Sequence, residues 1–231
     1  MLRKFFLLFA TIFCHLIASP TIAAPASMLQ KVLVPDMLGA DLAYFESVTG
    51  PARNTFGNQK VYKMGRCDVT VGVDEGKIRW FEVEIKPACE FNVYAFIFNF
   101  RGNPIPINQL TFEKFEAITG DHGEFSATCL MSCGNAADPI VYQHWSGSRA
   151  DANIEVSIGV ALSSDTALAA AGKWEQAMLK NNSEDWVIDG KFNCSDAARR
   201  YQPIARAAFK HVKASSISVG YQIPMPRCAS E

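Results

Sequence analysis

The sequence lacks an excess of either charge. Its 231 residues carry 22 basic and 23 acidic side chains, a formal net charge of −1. Such a balance leaves no electrostatic footprint for nucleic acid or for an anionic membrane surface. Signatures of catalysis are missing too. There is no Gly-x-Ser-x-Gly elbow, no His-Glu-x-x-His pair for zinc and no phosphate-binding loop. Histidine is scarce, with 4 in the chain, so few groups are available as general base or metal ligand. After the N-terminus no apolar run reaches the roughly 20 residues that a membrane span needs. What remains is a globular composition, 49% hydrophobic and 19% charged with 15 Gly and 11 Pro, of a length that suits one large domain or two small ones.

The N-terminus reads as a targeting segment. Arg3 and Lys4 precede an apolar run over 5–18, and small residues follow at Ala23, Ala24 and Ala26. This is the pattern of a secretory signal peptide, with residues 1–24 expected to be removed. Phe13 rather than a small residue precedes Cys14, which argues against a lipoprotein. Cleavage takes away Arg3 and Lys4 and no acid, leaving 20 basic against 23 acidic residues, net −3. The expected product is a soluble protein of the periplasm or extracellular space.

Cysteine usage follows from that compartment. Beyond the signal lie Cys67, Cys89, Cys129, Cys133, Cys194 and Cys228. An even count in an exported chain reads as disulfides. Pairing of near neighbours gives Cys67–Cys89, Cys129–Cys133 and Cys194–Cys228, although spacing alone does not select a connectivity. The alternative is a metal site built from Cys129, Cys133, His122 and His144, which an oxidising compartment disfavours. A redox role for Cys129 and Cys133 fails on spacing, since thioredoxin-type motifs have two intervening residues. No cofactor is expected, and no residue is assigned as catalytic or as a metal ligand.

The chain also repeats itself. Residues 43–50 read Ala-Tyr-Phe-Glu-Ser-Val-Thr-Gly and residues 113–120 read Glu-Lys-Phe-Glu-Ala-Ile-Thr-Gly. Phe45/Phe115, Glu46/Glu116, Thr49/Thr119 and Gly50/Gly120 are identical at an offset of 70 residues. Apolar positions recur at helical spacing in each copy, and each copy stops at a glycine. Extended segments follow each. After the first come 59–64, 67–73 and 77–86, with Phe81, Val83 and Ile85 on one face and Glu82, Glu84 and Lys86 on the other. After the second come 125–131, 140–145 and 154–162. Between the copies, the apolar and aromatic run 90–100 predicts a buried strand. Beyond residue 163 the spacing predicts a helix over 165–180, a short strand over 186–192, a helix over 196–212 and a final strand over 217–223.

The expected fold is α+β: two helix-plus-antiparallel-sheet repeats, 25–100 and 101–163, with a helical C-terminal extension over 164–231, stabilised by disulfides. A short helix ending in Thr-Gly, followed by an antiparallel sheet carrying cysteine and repeated once, resembles the β-lactamase inhibitory protein family. That fold is similar to the small outer-membrane lipoproteins of the SmpA/OmlA type. The resemblance rests on 45–50 with 67–85 and on 115–120 with 125–162, and covers about residues 37–162. It implies a concave sheet surface that grips a protein partner with aromatic residues.

The candidate binding residues are Tyr142, His144, Trp145 and Arg149, gathered at a strand end and hairpin loop. Tyr, Trp and Arg are common anchors of protein interfaces. Strand alternation puts Tyr142 and His144 on one face and Val141, Gln143 and Trp145 on the other, where Trp145 is also a candidate core residue. The reading is a non-enzymatic module that binds, or inhibits, a protein in the same compartment. One alternative is an exported hydrolase using the surroundings of His144 or the acidic cluster of Asp185 and Asp189. A second is a structural protein of the cell envelope.

Overall fold

The computed structural model describes residues 28–93, 97, 105–120, 123–135, 137–148, 153–194 and 199–226. The expected targeting segment, His122, Arg149 and Cys228 lie outside the described residues.

Alternation of apolar and polar residues builds eight strands: β1 (Asn54–Phe56), β2 (Gln59–Met64), β3 (Cys67–Asp74), β4 (Lys77–Glu84), β5 (Glu124–Ala127), β6 (Ile140–Ser146), β7 (Glu155–Ala161) and β8 (Ser216–Gly220). They form one sheet in the order β1-β2-β3-β4-β8-β7-β6-β5, with every neighbouring pair antiparallel. Six helices accompany it among the described residues: α1 (Met28–Val32), α2 (Leu42–Thr49), α3 (Phe112–Thr119), α4 (Asp165–Leu179), α5 (Glu184–Ile188) and α6 (Gln202–Phe209). The chain is therefore α+β. Each of α2 and α3 precedes a run of antiparallel strands, but β8 comes from beyond residue 163 and stands at the centre of the sheet. The C-terminal part thus contributes more than helices.

Helices cover one face of this sheet. Phe45 of α2 packs on Tyr62 and Phe81. Phe112 of α3, Trp174 of α4 and Phe209 of α6 close around Phe125 of β5. The buried positions of α4 are Ala167, Ala170, Ala171, Trp174 and Met178, the spacing that turns one stripe of a helix to a core. Burying each large aromatic or aliphatic side chain contributes about 1.5–3 kcal/mol, so this layer dominates the stability of the fold.

The residues identical between 43–50 and 113–120 do the same jobs. Phe45 and Phe115 are fully buried. Thr49 and Thr119 each donate their hydroxyl to the carbonyl four residues back. Gly50 and Gly120 end the helices at positive φ and return their N–H groups to the carbonyls of Glu46 and Glu116. The two carboxylates reach the sheet alike: Glu46 accepts from the Tyr62 hydroxyl and Glu116 from the Gln143 amide. Arg206 of α6 also bonds Glu116 and donates to the Gly123 carbonyl, so this buried acid ties α3, β6 and α6 together.

Cys67–Cys89 and Cys129–Cys133 are disulfides. Cys194 is disulfide-bonded as well. Three expectations need correction. Residues 186–192 form no strand, because Ser183 caps a helix by accepting from the Trp186 N–H, and α5 is followed by a 3-10 turn at Lys191–Asn193. Of the expected helix over 196–212, residues 196–198 lie outside the described residues; a 3-10 turn at Arg199–Tyr201 leads into α6, whose first turn contains Pro203 and which ends at Phe209. Of the expected strand over 90–100, residues 94–96 and 98–100 lie outside the described residues; the others make a single bridge, Asn92 to Pro106, with Phe91, Val93 and Ile97 buried as the apolar pattern demands.

The two edges of the sheet differ. β1 is three residues long and exposed throughout. At the other edge, side-chain amides take the place of a ninth strand. Asn193 accepts from the Ala127 N–H (3.0 Å) and donates to the Ala127 carbonyl (2.9 Å). Gln202 accepts from the Phe125 N–H (2.6 Å) and donates to the Phe125 carbonyl (2.9 Å). Satisfying an edge in this way removes a template for pairing with another chain. No helix among the described residues is long and apolar enough to cross a membrane.

Candidate functional site

Period-two alternation gives the sheet a second face, opposite the helices. Cross-strand register lines it up in rows. One row runs Asn54, Val61, Thr70, Glu82, Ser218, Ser157, His144 and Glu124 from edge to edge. The next runs Lys63, Asp68, Glu84, Ser216, Gly159, Tyr142 and Ser126. The helix face is built of Val, Ile and Phe, whereas this face is polar. Its centre is small, since β7 and β8 contribute Ser157, Gly159, Ser216 and Ser218.

Small residues in the centre with longer ones to the sides leave a depression. A trough of about 800 Å³ lies over β2, β3, β4 and β8, lined among others by Thr70, Glu82, Glu84 and Ser216, with Arg53, Ile85 and Ile140 at its rim. Two aromatics lie down on glycines beside it. The Trp80 indole covers Gly72 so closely that a Cβ there would stand 2.1 Å from the ring, and Trp80 is only 6% exposed. Tyr142 lies against Gly159, where a Cβ would come within 3.3 Å of its ring and 2.7 Å of the Ser216 hydroxyl. Gly72 is needed for lack of room, and Gly159 sits in a tight place.

The ionisable groups of the face respond to this setting. Burial pushes the Glu82 carboxyl above its ordinary range, against a hydrogen bond from the Ser218 hydroxyl (3.0 Å), and Glu84 adds to the rise. Burial and then the nearby charge of Glu82 push the Tyr142 phenol up to about 12. The Lys86 and Lys63 ammonium groups hold Asp68 below the usual carboxylate range. Burial lowers His144, and this outweighs the opposite pull of Glu155 and Glu124. His144 therefore stays neutral near pH 7.

The structure divides the sequence-derived site. Tyr142 and His144 share the helix-free face. Trp145 points to the other side and packs against the core, so a partner on the helix-free face does not touch it. Arg149 lies outside the described residues. His144 itself is partly covered. The Ile223 N–H donates to Glu155 (2.8 Å), and Met225 and Pro226 close a pocket of about 120 Å³ with His144, Glu124 and Arg199.

Little here resembles catalytic machinery. His144 Nε2 stands 3.7 Å from Glu155 and makes no hydrogen bond. The Ser157 hydroxyl on the adjacent strand is directed to the Gln143 carbonyl (3.4 Å). General-base activation of a hydroxyl needs the two within about 2.6–3.2 Å. Asp185 and Asp189 are exposed on or just after α5, and neither lines the His144 pocket. Among the described residues no group of three or more His, Cys, Asp or Glu side chains converges as metal ligands would. The sequence pointed to the β6 hairpin but missed the trough, because Ser216, Ser218 and Gly159 are residue types that also populate loops. No protein-family model, curated protein or solved structure matches the chain, so the helix-free face must be read from its own residues.

Proposed function

We propose that this is an exported, non-enzymatic binding module that receives a protein partner on the helix-free face of its sheet. One observation carries the reading: among the described residues helices cover a single face of an eight-stranded sheet, and the opposite face carries a largely polar trough. A bare sheet face of this breadth with a shaped depression and flanking aromatics suits a partner's loop better than a small substrate. The matching roles of Phe45/Phe115, Thr49/Thr119 and Gly50/Gly120 support the two-repeat organisation and, with it, the likeness to the β-lactamase inhibitory protein family. The disulfides and the N-terminal apolar segment support export to the periplasm or beyond the cell.

Differential capture tests the reading. The oxidised protein is immobilised and exposed to envelope and secreted extracts. Thr70→Trp fills the trough from a half-buried position without entering the core, and Tyr142→Ala removes its aromatic flank. The expected result is a saturable partner lost by both variants and kept by Asp185→Ala/Asp189→Ala. A partner retained equally by wild type and Thr70→Trp refutes the assigned face.

A further inference from the structure

Within the trough one carboxylate is left underserved by the protein itself. Glu82 stands on β4 between Thr70 on β3 and Ser218 on β8. A carboxylate offers about four acceptor sites, and the Ser218 hydroxyl fills one of them. The acids in the next row are neutralised: Asp68 by Lys63 and Lys86, Glu84 by Lys86. No ion pair reaches Glu82 among the described residues. Arg53 is exposed at the trough rim without an ion pair to it. A half-buried carboxylate with unfilled acceptor sites gains from a cation that arrives with its own donors.

We propose that Glu82 anchors an arginine side chain presented by the protein partner, an inference that rests on the helix-free face being the partner's surface. The chemistry of the trough matches that side chain part by part. The carboxylate faces a planar fork of five donors, which a guanidinium supplies and a point-like ammonium does not. The hydroxyls of Thr70 and Ser216 provide further acceptors beside it. Val61, Ile85, Ile140 and Ala161 line the same trough and accommodate the methylene stem, the part of a long cationic side chain that packs on apolar surface. Burial that raises Glu82 in the free protein reverses on binding, since a cation stabilises the ionised form.

The probe is the peptide acetyl-Gly-Arg-Gly-amide, titrated into the isotopically labelled, oxidised protein and followed by amide chemical shifts. Its neutral counterpart carries citrulline, which keeps the shape and removes the charge. Saturable shifts are expected at Thr70, Ser216 and Ser218. A charged hydrogen-bonded pair in a partly desolvated site makes citrulline weaker by about tenfold or more. Glu82→Gln keeps the side-chain volume and the Ser218 contact, so it folds, and it should weaken the arginine peptide to the same degree. Glu124→Gln, at the far end of the same row, should leave binding unchanged. Equal binding of citrulline, wild-type affinity in Glu82→Gln, or no binding of the arginine peptide overturns the assignment. Partner capture lost with Thr70→Trp but kept with Glu82→Gln removes the arginine anchor alone, whereas capture kept with Thr70→Trp removes the binding face itself.

Discussion

Replacing Gln202 by alanine should cost about 2 kcal/mol of stability, because two hydrogen bonds to the edge strand are lost at about 1 kcal/mol net each. Phe125 is only 2% exposed, so its released N–H and C=O are poorly reached by water and the cost tends toward about 3 kcal/mol. Helix propensity does not confuse the result, since alanine is the best helix former and Gln202 opens α6. Asn193→Ala removes the equivalent pair from Ala127, which is fully buried, and should cost a similar amount. The two sites share one strand, so the double variant should lose about 4 kcal/mol with a coupling of about 0.5 or more. That is a large part of the roughly 5–15 kcal/mol that folded domains possess. Urea unfolding at neutral pH measures it, and Trp174 reports locally because its ring meets Phe125 edge-on. In a thermal scan the single variants should melt about 4–8 °C lower. Gln202→Glu gives an internal check: it keeps the acceptor for the Phe125 N–H but sets a carboxylate against the Phe125 carbonyl, so it should be at least as damaging as alanine. A loss below about 0.5 kcal/mol in Gln202→Ala would refute the reasoning, since it would mean that water replaces the amide at the edge.

Other perturbations follow from the same structure. The disulfides span 22 and 4 residues; chain-entropy reasoning gives about 3 kcal/mol for removing Cys67–Cys89 and about 2 for Cys129–Cys133, and denaturation of the two paired Cys→Ser variants should rank them in that order. Burial lowers His144 from its ordinary 6.5. Below that pH the unfolded chain therefore binds a proton that the folded chain does not, and stability falls as pH drops toward the folded value. His144→Gln should flatten the change in unfolding midpoint between about pH 7.5 and about pH 5.5, and an unaltered slope would exclude His144 as its source. Glu82 has the opposite sign: its raised carboxyl makes stability fall as pH rises through the folded value, so Glu82→Gln should be more stable than wild type at neutral pH. Gly72→Ala places a methyl 2.1 Å from the Trp80 indole and should cost about 1–3 kcal/mol through overpacking, with a shift in Trp fluorescence that Gly65→Ala, which meets nothing within 4 Å, does not produce.

Local pattern made the sheet legible and long-range pairing hid its plan. Alternation in 67–73 and 77–86 found β3 and β4 and sorted Phe81 and Val83 from Glu82 and Glu84. It also separated Trp145 from Tyr142 and His144, since a side chain's face in a strand is a matter of parity. Repetition of Phe, Glu, Thr and Gly in the two helices pointed to residues with equal work, because each closes the same helix end and touches the same face of the sheet. The short run 186–192 misled because so brief an apolar stretch fits helix and strand alike, and the Ser183 cap decided for helix. β1 escaped notice at three exposed residues. The trough was invisible for a different reason. Its lining joins residues distant in sequence, such as Glu84 and Ser216, which pair across β4 and β8, and no local signal foretells which small polar residues will meet.

The central place of β8 sets an order on the life of the chain. As synthesis proceeds, β1 to β4 can form a meander, and β5 to β7 a second one. Each then ends on an unguarded strand, β4 in one and β7 in the other, and both wait for the same five residues. Closure across so long a separation is entropically slow. A chain that ends before residue 220 therefore leaves the β4 and β7 edges unpaired by β8. Ser216 lines the trough, so a growing or truncated chain that ends before β8 lacks that part of the surface, and the trough is whole only once the two meanders have been stitched into one sheet.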